Sequence, residues 1–210
     1  MEQGYQIIDM AAWNRAVHCQ VFREALQPHY DVSLELDITN YYQKVKDKEL
    51  SLTLSLIYAV TKCANELEAF RCRFLDGNVV IYHTIHTSFT YIEPGDELFK
   101  VVNAPMKDSL EEYVQSASAL AKAQKEYFTG PMANDVYQFS ALPWIAYTHV
   151  SHTESGKKDM AQPIFVWGRF SRRDGKLWLP FSIRVHHSFV DGIHIGWLVE
   201  KLQAYLNEPW

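Results

Sequence analysis

The chain has 210 residues, 48% of them hydrophobic and 21% charged, with a net charge of −5 at pH 7 and three cysteines. That length suffices for one domain, spanning 1–210, with a sizeable core, and an acidic balance with no Lys/Arg block or basic helical stripe excludes nucleic acid as a natural partner. No stretch reaches the ~18 apolar residues needed to span a bilayer, no basic region precedes an apolar run at the N-terminus, and Cys19, Cys63 and Cys72 lack CxxC spacing, so the expectation is a cytoplasmic protein with reduced thiols and neither membrane nor zinc.

Asp9 precedes MAAWNRAVHCQVFREAL, whose apolar spacing predicts a helix over about 10–26 that Pro28 ends. VSLELDI at 32–38 alternates as a strand does, and Asp37 or Thr39 caps a short polar helix through Lys46. Leu50 to Phe70 is apolar and free of Gly and Pro, which predicts a buried helix. Asp76-Gly77 and Asp174-Gly175 sit between strand-like runs and supply the positive φ values of tight turns, so both read as β-hairpins. Between them the pattern predicts a strand near 87–92, a helix near 107–128, a strand near 144–150 and an exposed polar loop, HTESGKKDM, at 152–160. From Gly192 to Leu206, Ile193, Leu198, Leu202 and Leu206 fall on one helical face. Interleaved helices and hairpins predict an α/β layered domain with a mixed sheet, while the absence of strict βαβ alternation argues against a doubly wound fold. GxxxxGK[ST] and GxGxxG are both missing, which removes the usual nucleotide loops.

Chemistry concentrates in VHHSFVDG at 185–192. Period two puts Leu177, Leu179, Phe181, Ile183, Val185 and His187 on one strand face, with Ser182, Arg184 and His186 on the other; Pro180, which cannot donate to a ladder, hints at an edge or bulge. A histidine ending an apolar face is partly desolvated, which favours the neutral imidazole a general base requires. The same position also suits a plain core histidine bonded to a carbonyl, and Asp191 suits a helix N-cap. On composition His186, His187, Asp191 and His194 can be metal ligands, but adjacent strand residues face opposite ways, which counts against a shared ion.

VHHSFVDGIHIGWLVEKLQ resembles the HHxxxDG signature of the chloramphenicol acetyltransferase family. WNRAVHCQVF at 13–22, LELDIT at 34–39, AFR at 69–71, LDGNVVIYHTIHTSFT at 75–90, SALPW at 140–144 and PIFVWGRF at 163–170 resemble family segments in family order. The resemblance implies a two-layer α/β sandwich, a mixed β-sheet covered by helices. It also implies a homotrimer with sites at subunit interfaces, acetyl-CoA as co-substrate and no metal. It assigns His187 as base, Arg15 and Asp191 as the ion pair that holds the site's shape, and Ser140 as the group stabilising the tetrahedral intermediate. Phe22 and Phe99 match aromatic positions near the acceptor pocket. Three departures bear on substrate: Val166 replaces a threonine of the acceptor region, and Arg169 and Phe170 replace a lysine and a tyrosine near CoA.

The expected function is therefore acetyl-CoA-dependent O-acetylation of chloramphenicol or a related small alcohol, as in antibiotic resistance. Two other readings compete: a catalytically idle trimer that binds a hydrophobic ligand, and a metal-dependent hydrolase. Intact His187, Ser140, Arg15 and Asp191 argue against the idle form.

Overall fold

The computed structural model describes residues 4–130, 132–153 and 156–208. Its frame is a seven-stranded mixed sheet built from β2 (His29–Asp37), β5 (His86–Tyr91), β6 (Lys100–Ala104), β7 (Val136–Leu142), β8 (Ile164–Gly168), β9 (Ser171–Arg173) and β10 (Lys176–His186). The order is β2-β10-β8-β7-β5-β6, with β9 paired to β10; β7 runs parallel to both β5 and β8, and the other neighbours are antiparallel. A small antiparallel sheet joins β1 (Tyr5–Ile7), β4 (Asn78–Tyr82) and β3 (Cys72–Leu75). Helices α3 (Leu52–Asn65), α5 (Leu110–Ala123) and α6 (Gly192–Asn207) pack together and cover the large sheet, which is the two-layer arrangement expected. The core lies between the layers, where Phe139, Phe165, Phe181, Ile183 and Val185 meet Ile57, Tyr113 and Leu198.

Both Asp-Gly pairs turn as predicted: Asp76 and Gly77 adopt φ of 48° and 82°, Asp174 and Gly175 51° and 77°. β10 is interior, yet Pro180 falls where its outer neighbour changes from β9, paired through Trp178, to β8, paired from Phe181, so its missing N–H interrupts no ladder on that side. α2 (Thr39–Asp47) follows Asp37, whose Oδ1 accepts from both N and Oγ1 of Thr39.

Several expectations need correction. The first helix, α1 (Ala16–Arg23), is shorter than 10–26, because Asp9 draws residues 9–12 into a turn by accepting the Ala11 N–H on its side chain and the Ala12 N–H on its carbonyl. The long apolar stretch breaks after Asn65, whose side-chain amide exchanges two 2.9 Å hydrogen bonds with the backbone of Ile85; a short α4 (Glu68–Arg71) follows. α5 stops at Ala123, short of 128, and β6, β8 and β1 were not anticipated as separate strands. The strand placed at 144–150 lies instead at 136–142. Pro143 offers no N–H to extend it, and the chain turns there to cross β8 at Gly168, where an added Cβ would stand 2.7 Å from the Ile145 carbonyl oxygen. In α6, Ile195 joins Leu198, Leu202 and Leu206 in the core while Ile193 is exposed, since the buried stripe starts two residues later than predicted. The polar segment 152–160 is loop where described, with residues 154 and 155 outside the described residues.

Candidate active site

β10 ends at His186 and the chain turns through His187 to Val190 before Asp191 opens α6. Arg15, just ahead of α1, grips this turn with four hydrogen bonds. Its Nε donates to the Ser188 carbonyl at 2.8 Å and one terminal nitrogen to the His187 carbonyl at 2.8 Å, while the two terminal nitrogens hold the Asp191 carboxylate at 2.5 and 2.7 Å. Bidentate, largely buried Arg–carboxylate pairing is the strongest ion-pair geometry available. It holds the Asp191 carboxyl below the usual carboxylate range, hydrogen bonding to Arg15 being the largest cause. A second tie, from Ser188 Oγ to the Cys19 carbonyl at 2.8 Å, fastens the turn to α1.

His187 is fixed at both backbone ends, its N–H donating to the Pro28 carbonyl at 2.8 Å. Its ring lies flat on Phe22, with centroids 3.7 Å apart and planes 6° apart, and Tyr30 leans on it at 4.7 Å. Nδ1 stands 3.0 Å from Asp191 Oδ1 but off the hydrogen-bond direction, and it is shut off from solvent. The side chain is still 34% exposed, so the exposure belongs to the rest of the ring, Nε2 included. Tyr30 is the member the sequence did not flag. It pairs opposite Val185 on the apolar face, and burial first, then Asp191, pushes its phenol up to about 12.

The neighbouring histidines are committed to backbone. His186 Nε2 meets the Lys158 carbonyl at 2.9 Å and its Nδ1 accepts the Ser188 N–H at 3.1 Å; burial pushes its pKa down to about 4. His194 Nδ1 accepts the Asp191 N–H at 2.9 Å. Among the described residues, no group of three or more His, Cys, Asp or Glu is placed to hold a metal ion.

Ser140 is elsewhere. It projects from β7 opposite Val166 of β8, which pairs with Ser182 of β10, so all three share a face with Arg184 and His186. His187 lies five residues beyond Ser182 and belongs to the other face. Two strand spacings and five residues put the two Cα atoms on the order of 19 Å apart within one chain. Ser140 lines a separate cavity of about 360 Å³ with Phe99, Gln138, His152, Gln162 and Arg184. Phe99 is 44% exposed and meets Phe128 edge to face. Of the residues expected near the acceptor, then, Phe99 lines the Ser140 cavity, Phe22 lies on His187, and Val166 is buried and lines neither place.

Arg169 is exposed beside the loop that follows SALPW, its N–H donating to the Ile145 carbonyl at 2.7 Å, and Phe170 packs edge to face on Tyr42. Next to them Trp144 is 61% exposed, a solvent-facing indole that its position after a proline gave no reason to expect. A cation beside exposed aromatic surface suits an anionic ligand with a planar base. Among the described residues no helix is long and apolar enough to cross a membrane.

A family model described as chloramphenicol acetyltransferase matches residues 3–203. A chloramphenicol acetyltransferase of Escherichia coli is 26% identical over 208 residues, covering 98% of this chain and 95% of that one. One of Streptomyces acrimycini is 28% identical over 207 residues, covering 96% and 94%. A solved structure described as chloramphenicol acetyltransferase superposes with a TM-score of 0.87 at 27% identity, covering 97% of this chain and all of that one.

Proposed function

The chain belongs to the chloramphenicol acetyltransferase family and is a CoA-dependent acyltransferase, and from that premise we propose that it moves the acetyl group of acetyl-CoA onto a hydroxyl of a small alcohol, chloramphenicol being the first to test. The observation that carries this reading is the clamped turn: an imidazole held by its backbone, stacked on Phe22, with Nδ1 sealed against Asp191 and the rest of the ring open. The Asp191 carboxylate 3.0 Å from Nδ1 favours the tautomer with its proton on that nitrogen, although the N–H does not aim at it, and that tautomer leaves Nε2 its lone pair. His187 takes the acceptor hydroxyl's proton as that oxygen bonds to the thioester carbonyl carbon; as the tetrahedral intermediate collapses and the carbon–sulfur bond breaks, His187 returns the proton to the CoA sulfur. Ser140 donates a hydrogen bond to the carbonyl oxygen while it carries negative charge. Arg15 and Asp191 hold the turn in shape, and Arg169, Phe170 and Trp144 offer the surface for CoA.

Ser140 and His187 of one chain are too far apart, and on the wrong faces, to meet one carbonyl. The reading therefore requires two copies, one giving His187 and the other the Ser140 cavity, which a closed trimer supplies three times over. Exposed apolar residues support such contact: Val17 and Val21 on α1, the helix whose Phe22 lies on His187, Leu26 just beyond it, and Phe99 of the cavity with Phe128 against it. The test is release of free thiol from acetyl-CoA with chloramphenicol and a panel of alcohols. His187→Ala should lower turnover by about 10⁴ or more, as the nucleophile loses its base, and Ser140→Ala by about 10²–10³. Near-normal acetyl transfer by His187→Ala refutes the scheme.

A further inference from the structure

Asp191 gives each of its polar groups a different partner. Its carboxylate is held by Arg15 and stands 3.0 Å from His187 Nδ1, while its carbonyl accepts the N–H groups of His194 at 3.0 Å and Ile195 at 3.2 Å to begin α6. Its own N–H donates to His194 Nδ1 at 2.9 Å, the one acceptor it meets among the described residues. In the usual opening of a helix the first residue's side chain caps the first turn, and a Glu or Gln three positions on reaches back to its N–H. Here Arg15 engages the carboxylate, and an imidazole does the reaching back.

Close packing does not hold Asp191 in its stead. Beside it lies a cavity of about 570 Å³ lined by Trp13, Arg15, His18, Glu68, His194 and Trp197, and 32% of the Asp191 side chain is exposed. Hydrogen bonds therefore set where the carboxylate stands, with Arg15 at the side chain and His194 at the main chain. Accepting an N–H requires a lone pair on Nδ1, so His194 is the neutral tautomer with its proton on Nε2. Burial first, then Arg15, holds its pKa below the ordinary histidine value, which preserves that lone pair at neutral pH. Trp197 stands edge to face against the ring at 5.3 Å. We infer that His194 is a positioning residue of the acetyl-transfer site, holding the Asp191 main chain so that its carboxylate stays where Arg15 and the His187 imidazole both meet it. The inference rests on His187 being the base of that reaction.

The experiment compares His194→Leu, which fills the place of the ring without an acceptor, with His194→Gln, whose amide oxygen can reach back to the Asp191 N–H. Thiol release from acetyl-CoA is measured with the best acceptor of the alcohol panel, and deuterium exchange is measured over the amides of segment 187–192, well below the unfolding temperature. His194→Leu is expected to lower kcat about tenfold with KM for acetyl-CoA within about twofold, and to speed exchange in that segment about tenfold. His194→Gln should keep both readouts within about threefold of wild type. If His194→Leu does not fold, His194→Asn, which carries an acceptor on too short a side chain to reach, takes its place with the same expectations. A kcat within about twofold of wild type in that variant, unchanged exchange, or a glutamine variant equally impaired overturns the inference and leaves acetyl transfer standing. No His187-dependent thiol release from wild type with any alcohol overturns both.

Discussion

Phe22 lies flat against the imidazole of His187, at 3.7 Å between centroids and 6° between planes. At that separation the ring cannot rotate without first displacing Phe22, so the phenyl sets the direction in which Nε2 points. Phe22→Ala should lower kcat about tenfold to a hundredfold with a smaller change in the KM for acetyl-CoA, because a misdirected base costs rate more than affinity. Steady-state kinetics at fixed pH check this; an unchanged kcat would mean that the stacking is incidental.

The distance between Ser140 and His187 makes a stricter prediction. Purified Ser140→Ala and His187→Ala, unfolded together and refolded as a 1:1 mixture, should regain up to about a quarter of wild-type turnover, since a site drawing one residue from each of two copies is intact when both draws are wild type. Each variant refolded alone should stay near its own low rate. A mixture no more active than the average of its parts would place both groups in one chain's site, against the geometry.

Arg15 concentrates four hydrogen bonds on three residues of the turn, with 16% of its side chain and 32% of that of Asp191 exposed. Arg15→Leu leaves a partly buried carboxylate without its partner. After discounting for that exposure, the loss is about 2–3 kcal/mol, or a Tm lower by about 5–10 °C in a chain of this size. Activity of the folded fraction should fall about a hundredfold as the His187 backbone loosens. Differential scanning calorimetry and kinetics well below the transition separate the two effects.

Acid should weaken the fold earlier than carboxylates alone would. His186 holds its pKa down at about 4 by burial, while in the unfolded chain it takes up a proton near the ordinary histidine value of about 6.5. Between those values the unfolded state binds more protons, so stability is full above pH 6.5 and falls as pH drops toward 4, by about 3 kcal/mol from this residue. His29, His152 and His194, also shifted down by burial, act in the same direction. Asp191, held low by Arg15, extends the loss to still lower pH. Urea unfolding at pH 7 and pH 4.5 measures the drop, and a flat profile over that window would refute it.

Much of this was legible in the sequence because it is local. Two Asp-Gly turns, the alternation of β10 and the turn from His187 to Asp191 follow from neighbours a few residues apart, and period two alone sets His187 and His186 on opposite faces. Long-range facts were not legible. Nothing in the segment 143–150 announces that it must pass over Gly168, so its apolar character read as a strand. The stacking of Phe22 on His187 joins residues 165 positions apart, and an aromatic in helix α1 looks the same in sequence whether it faces core, ligand or base. Ser140, although singled out, gave no sign that it opens into a cavity of its own with Gln162 and His152, because those residues come from a polar loop with no periodicity to read.

The span across the sheet from Ser140 to His187 has a bearing on dosage. On the proposed two-copy site, a solitary copy holds only halves of two reaction centres, so specific activity should decline with dilution below the dissociation constant. In a cell, the amount of chain synthesised would then govern not only how many molecules are present but what share of them is an enzyme at all.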